Sequence, residues 1–170
     1  MRRKQPIRSG GFTLMELLIV MVILSILVAI ATGTYASSSK RGRDNRRKND
    51  LRNVATALES YYSDKGAYPT NNANGEMVGC GTGDTQVCSW GGQFKDQYNT
   101  LYMILIPSDP VTSQKYYYSG GGTSYKLYAR LENTRDEGNG VKQYPPGYAG
   151  TNCGGGVVCT YGIASTNTTP

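Results

Sequence analysis

Apolar residues recur along this chain in three rhythms, and each predicts a different element. From Leu17 to Leu24 every position is apolar, and after Ser25 the run resumes from Ile26 to Ala31. Counted from Phe12 it is 20 residues long, interrupted only by Thr13, Glu16 and Ser25. A helix of that length spans about 30 Å, the hydrocarbon thickness of a bilayer. Further on, Leu51, Val54, Ala55, Leu58, Tyr61 and Tyr62 keep helical spacing with a single apolar stripe. Ser63, Asp64 and Gly66 break the stripe and Pro69 ends it. The pattern predicts one helix from Phe12 to Tyr62, roughly 75 Å long. Gly33 is its expected soft point, because glycine weakens a helix interior by about 1 kcal/mol.

After Pro69 the rhythm shortens. "KYYYS", a turn at Gly120–Gly122 and "SYKLYARLE" read as a β-hairpin. In its second strand Tyr125, Leu127, Ala129 and Leu131 share one face, opposite Lys126, Tyr128 and Arg130. The apolar face is expected to cover the Leu51–Tyr62 stripe. Residues 71–100, rich in Gly, Asn and Thr, read as a loop, and "LYMILIPSDPV" places an apolar run before Pro107 and Asp109. Tyr161–Ile163 is an expected edge strand, with a fraying tail after it. The fold class is therefore α+β: a long N-terminal helix, apolar in its first half, packed against a small antiparallel sheet. Its parts are residues 1–11, a basic leader; 12–35, the apolar helix; 36–62, its amphipathic continuation; and 63–170, a β domain with stapled loops.

The formal net charge of +6 misleads until it is divided. Arg2, Arg3, Lys4 and Arg8 precede the apolar run without an acid, and residues 40–52 hold seven basic and two acidic groups. Residues 53–170 hold seven basic and nine acidic groups, so the domain itself is nearly neutral. A general nucleic-acid binder is not indicated. "KRGRDNRRK" is a weak candidate for DNA contact; without interleaved aromatics it reads better as a solvated or lipid-phosphate-facing stretch of helix. The absence of histidine removes Ser-His-Asp and Cys-His catalysis, and no Gly-rich phosphate loop occurs in a strand–helix context, so no enzyme is expected. Cys80, Cys88, Cys153 and Cys159 do not have zinc-ribbon spacing and fit disulfides of an oxidising compartment. Three connectivities are open; the local ones, Cys80–Cys88 and Cys153–Cys159, are favoured because short loops close readily.

Three readings of the N-terminus compete. A cleaved signal peptide could end at the "AIA" of Ala29–Ala31, but the run is too long and contains Glu16. That reading implies a secreted binding domain. An ordinary anchor, holding a tethered domain, explains the length but neither the Gly10–Gly11 pair nor the carboxylate. The third reading is removal of the leader before the apolar run. "SGG" followed by "FTLMELLIV" resembles the processing site of type IV prepilins and type II secretion pseudopilins. The resemblance implies cleavage between Gly11 and Phe12 by a prepilin peptidase, N-methylation of Phe12, and a mature chain of 159 residues (170 − 11). It also implies an inner-membrane, single-pass subunit with an extracytoplasmic domain, polymerised with itself and with minor pilins or pseudopilins on a membrane assembly platform. Glu16 would then pair with the new α-amino group of a neighbouring Phe12, since an isolated carboxylate in a lipid-like core is costly. Against this orientation, seven Lys/Arg follow the apolar run within 40–52 and only four precede it.

A P-x-D-P turn leading to a tyrosine strand resembles major pseudopilins. That resemblance makes calcium conceivable in "LENTRDEGNG", with Glu132, Asp136 and Glu137 as weak candidates. The spacing matches no calcium loop and Arg135 intervenes, so a polar surface loop is the better reading and no cofactor is expected.

Overall fold

The structure, a computed structural model, describes residues 11–170, and at 31–34 and 36 the backbone alone. The basic leader expected over 1–11 therefore lies outside the described residues except for Gly11. The chain divides into two units, one ending at Ser39 and the other covering Lys40–Pro170.

One helix, α1 (Leu14–Lys65), runs without interruption through both. It begins two residues later than expected because Thr13 caps it. The Thr13 hydroxyl accepts the Glu16 backbone N–H at 3.2 Å, while Glu16 Oε2 accepts the Thr13 N–H at 2.8 Å. That reciprocal pair is a capping box, which satisfies donors a helix start otherwise leaves open. The helix ends three residues later than expected. Gly66 takes φ 72°, and its N–H bonds the Tyr62 carbonyl at 2.8 Å, so the stop is a left-handed glycine rather than Ser63 or Asp64.

Within the second unit three small antiparallel sheets surround the helix stripe. They are β1 (Thr70–Asn71), β2 (Met77–Cys80) and β3 (Gln86–Cys88); β4 (Phe94–Lys95) and β5 (Leu101–Met103); and β6 (Tyr117–Gly121), β7 (Ser124–Ala129) and β8 (Tyr161–Ala164). The hairpin expectation holds: β6 pairs β7 in the register Tyr117↔Tyr128 to Gly121↔Ser124, and β8 adds at the edge through Ala129↔Tyr161. Residues 71–100 are not a single loop. Met77 and Phe94 are fully buried, and those anchors turn the stretch into two short ladders. The tail does not fray directly after β8 either: buried Ser165 donates its N–H to the Tyr125 carbonyl, and Asn167 bonds the Thr123 carbonyl.

Leu51, Val54, Leu58 and Tyr61 pack on Tyr116, Tyr118, Tyr125, Leu127, Ala129 and Leu131 in one core. Tyrosines contribute much of it, and several place the hydroxyl on a hydrogen-bond acceptor. Tyr116 donates to Asp50, Tyr118 to the Pro69 carbonyl and Tyr68 to Glu59. The opposite face of β7 is covered as well. Tyr128 is buried there with Tyr148 beneath the Cys153–Cys159 loop.

Candidate assembly site

In the first unit the features expected to carry function lie at its start. Gly11 and Phe12 precede the first helical turn, and Phe12 is 88% exposed. Both residues are exposed and lie outside the helix. Glu16 sits in the first turn of α1, held by Thr13, whose hydroxyl also donates to Glu16 Oε2 at 2.9 Å. Sequence reading by charge alone missed this local role, although T-x-x-E at a helix start is its visible signature. From Leu14 to Ile30 every large apolar side chain is about half exposed or more. Fully burying such a side chain is worth about 1.5–3 kcal/mol, so the segment has a large unspent drive toward lipid or other helices. Among the described residues no helix is long and apolar enough to cross a membrane; the apolar run with described side chains stops at Ile30.

In the second unit the basic stretch is only partly solvated, which corrects the sequence expectation. Arg47 is fully buried and fans out to three carboxylates. Its Nε and Nη2 meet the two oxygens of Asp109 at 2.8 and 2.9 Å, and Nη1 meets Asp44 and Glu132 at 2.8 Å each. Arg43 grips Glu132 with two further bonds, and Lys48 meets Asp136 at 2.6 Å. Asp44 faces the other way too, accepting the Glu132 and Asn133 backbone N–H groups. The reason lies in helix phase: Asp44 and Arg47 continue the stripe of Leu51, Val54 and Leu58 at i−7 and i−4 from Leu51, so they point inward. Asp109, from the P-x-D-P turn, also accepts the Val111 N–H and so fixes its own loop while holding Arg47.

The calcium candidates of the sequence sit among these contacts. The Arg43 and then the Arg47 guanidinium hold the Glu132 carboxyl down at about 2, and Lys48 lowers Asp136. Both carboxylates are occupied by cations of the chain itself, and Glu137 stands exposed without joining them. Among the described residues no group of three His, Cys, Asp or Glu could hold a metal ion. Hydrogen bonds and charge of Arg47 outweigh the cost of its burial and raise its pKa. At the far end of α1, Lys65 bridges Asp84 at 3.0 Å and Asp96 at 2.7 Å. The structure closes the cysteines locally, as Cys80–Cys88 and Cys153–Cys159.

Comparison with known proteins adds a second line. The prokaryotic N-terminal methylation motif matches residues 7–32. The type II secretion system core protein G of Pseudomonas aeruginosa is 32% identical over 142 residues, 82% of this chain and 92% of that protein. The core protein G of Aeromonas hydrophila is 32% identical over 61% of this chain and 77% of its own length. The type IV major pilin protein PilA of Myxococcus xanthus is 33% identical over 47% of this chain and 41% of its own. No solved structure matches the chain.

Proposed function

This chain belongs to the family that unites type II secretion pseudopilins with type IV pilins, and we propose that it is the pseudopilin kind, a subunit of a secretion pseudopilus. It is a structural filament subunit. Likeness to core protein G extends through the β domain, whereas likeness to the pilin covers less than half of the chain, and this supports the pseudopilus over the pilus. The proposed sequence of events begins with insertion of the apolar helix as a single pass, leader inside and β domain outside. Prepilin peptidase then cuts between Gly11 and Phe12 and the new terminus is methylated. The freed amine neutralises Glu16 of a neighbouring copy as helices pack in a low-dielectric core. Minor pseudopilins and the assembly platform are its proposed partners, and the folded domain with its two disulfides fits an oxidising space outside the cytoplasm.

The observation that carries this reading is the start of α1, where the exposed Gly11 and Phe12, a capped carboxylate and an uncovered apolar helix follow one another within a few residues. N-terminal mass spectrometry of the mature protein tests it. A methylated Phe12 start is the expected result; a Thr32 start, from signal peptidase acting after Ala31, would overturn it.

A further inference from the structure

The ion pairs of the second unit leave a remainder. Of the seven cations at 40–52, Arg43, Arg47 and Lys48 are bound to carboxylates of the domain. Lys40 and Arg41 are exposed without an ion-pair partner among the described residues, and Arg46 reaches Asp50 only at 3.7 Å with its side chain 62% exposed. The loop after β7 adds Arg135, also exposed and without an ion pair. Arg41 and Arg135 face one open cleft of about 340 Å³, whose wall also carries Asn45 and Asn133. Its carboxylates are mostly spoken for. Asp44 is held by Arg47 and two backbone N–H groups, and Asp136 by Lys48 and the Gly138 N–H. Among the described residues Glu137 is the one carboxylate of the cleft without a cation beside it, so two guanidinium groups without ion pairs and two amides outweigh one carboxylate.

We propose that this cleft docks the headgroup phosphate of an anionic lipid, holding the stored subunit's domain against the outer face of its membrane. Guanidinium forks and amide donors are the groups that bind phosphate oxygens. Chain order selects lipid over nucleic acid: Lys40 follows Ile30 by only ten residues, so insertion of the apolar run keeps Lys40 and Arg41 within a short length of chain of the bilayer surface. Each basic side chain near an anionic surface adds an attraction that fades within a Debye length. Such a contact is reversible, as a store that feeds a filament requires. The inference rests on the membrane-held subunit proposed above.

The test uses the full chain in lipid nanodiscs of phosphatidylcholine, with or without about one-third phosphatidylglycerol, and a nitroxide-headgroup lipid as the probe. The expected result is broadening of the Asn45 and Asn133 side-chain amide signals, at least about threefold stronger with phosphatidylglycerol and relieved by about 0.5 M salt. The double variant Arg41→Gln, Arg135→Gln, at two exposed positions, should lose that broadening and keep its other signals. Equal broadening in both kinds of disc, or broadening retained in the variant, would overturn the proposal. A DNA duplex that shifts these signals in neutral discs, where phosphatidylglycerol has no effect, would assign the cleft to nucleic acid instead. A chain that fails to enter neutral discs would overturn the membrane reading itself, and the docking with it.

Discussion

At the scale of single residues, Arg47 is the most consequential side chain in the domain. Its guanidinium lies at zero exposure and is the common partner of Asp44, Asp109 and Glu132, which reach it from the helix, the P-x-D-P turn and the loop after β7. Removing one member of a buried, hydrogen-bonded charge group costs about 3–5 kcal/mol because the others are left uncompensated. Arg47→Met should therefore lower the unfolding free energy from denaturant melts by an amount in that range, whereas Arg46→Met, at an exposed site, should change it by less than about 0.5 kcal/mol. The acid limb of stability follows from the same group. Glu132 has its folded pKa depressed to about 2 from an ordinary 4.5, and Asp136 is depressed by Lys48. A depressed carboxylate gives its full stabilisation above the unfolded value and loses it as pH falls through the folded one. Stability should fall between about pH 4.5 and 2, and Glu132→Gln should flatten that fall in a series of thermal melts.

At the scale of elements, much was legible, and the departures share a cause. The helix was readable because apolar spacing persists from Leu51 to Tyr62, and the β6–β7 hairpin because Tyr125, Leu127, Ala129 and Leu131 alternate with polar residues. The short ladders β1 to β5 were not readable, since strands of two to four residues leave no period to detect. Tyr128 was assigned to the outer face by the same alternation, yet it is buried, because the disulfide loop that covers it comes twenty and more residues later. Charge was the least legible. Asp44 and Arg47 read as members of a basic run although their helix phase puts them on the stripe, and their partners outside the helix lie 62 to 89 residues away. Phase should have outweighed charge there, for a guanidinium can be buried when its partners come with it. At the C-terminal cover the staple matters more than the contacts. The Cys153–Cys159 bridge closes a short loop, and loops of that size are stabilised by roughly 2 kcal/mol in the chain-entropy picture. Replacing both cysteines by serine should uncover Tyr128 and Tyr148, seen as faster hydrogen exchange in β7 and β8, while the α1 stripe stays protected.

At the scale of the whole molecule, charge and cleavage have to be considered together. The seven cations after the apolar run argued against an outward domain, yet the fold binds three of them internally, leaving four outward against four in the leader. The proposed removal of the leader would take those four away and leave an amine at Phe12. Glu16 caps its own helix in the structure, the proposed filament gives it a second and separable duty, and a pair of substitutions tells them apart. As the third residue of a capping box it needs only an oxygen acceptor, which glutamine supplies. As the counter-charge for a neighbour's terminus it needs the negative charge, which glutamine lacks. Thr13→Val removes the cap, at a cost of about 1 kcal/mol, and leaves the charge in place. If the charge governs assembly, Glu16→Gln and Glu16→Ala should both be processed and methylated at Phe12 yet yield at least about tenfold fewer filaments, the equivalent of about 1.4 kcal/mol per contact. Thr13→Val should assemble nearly as well as the parent. The reverse order, with Glu16→Gln normal and Thr13→Val defective in sheared-filament yield, would mean that the carboxylate serves its own helix and not its neighbour.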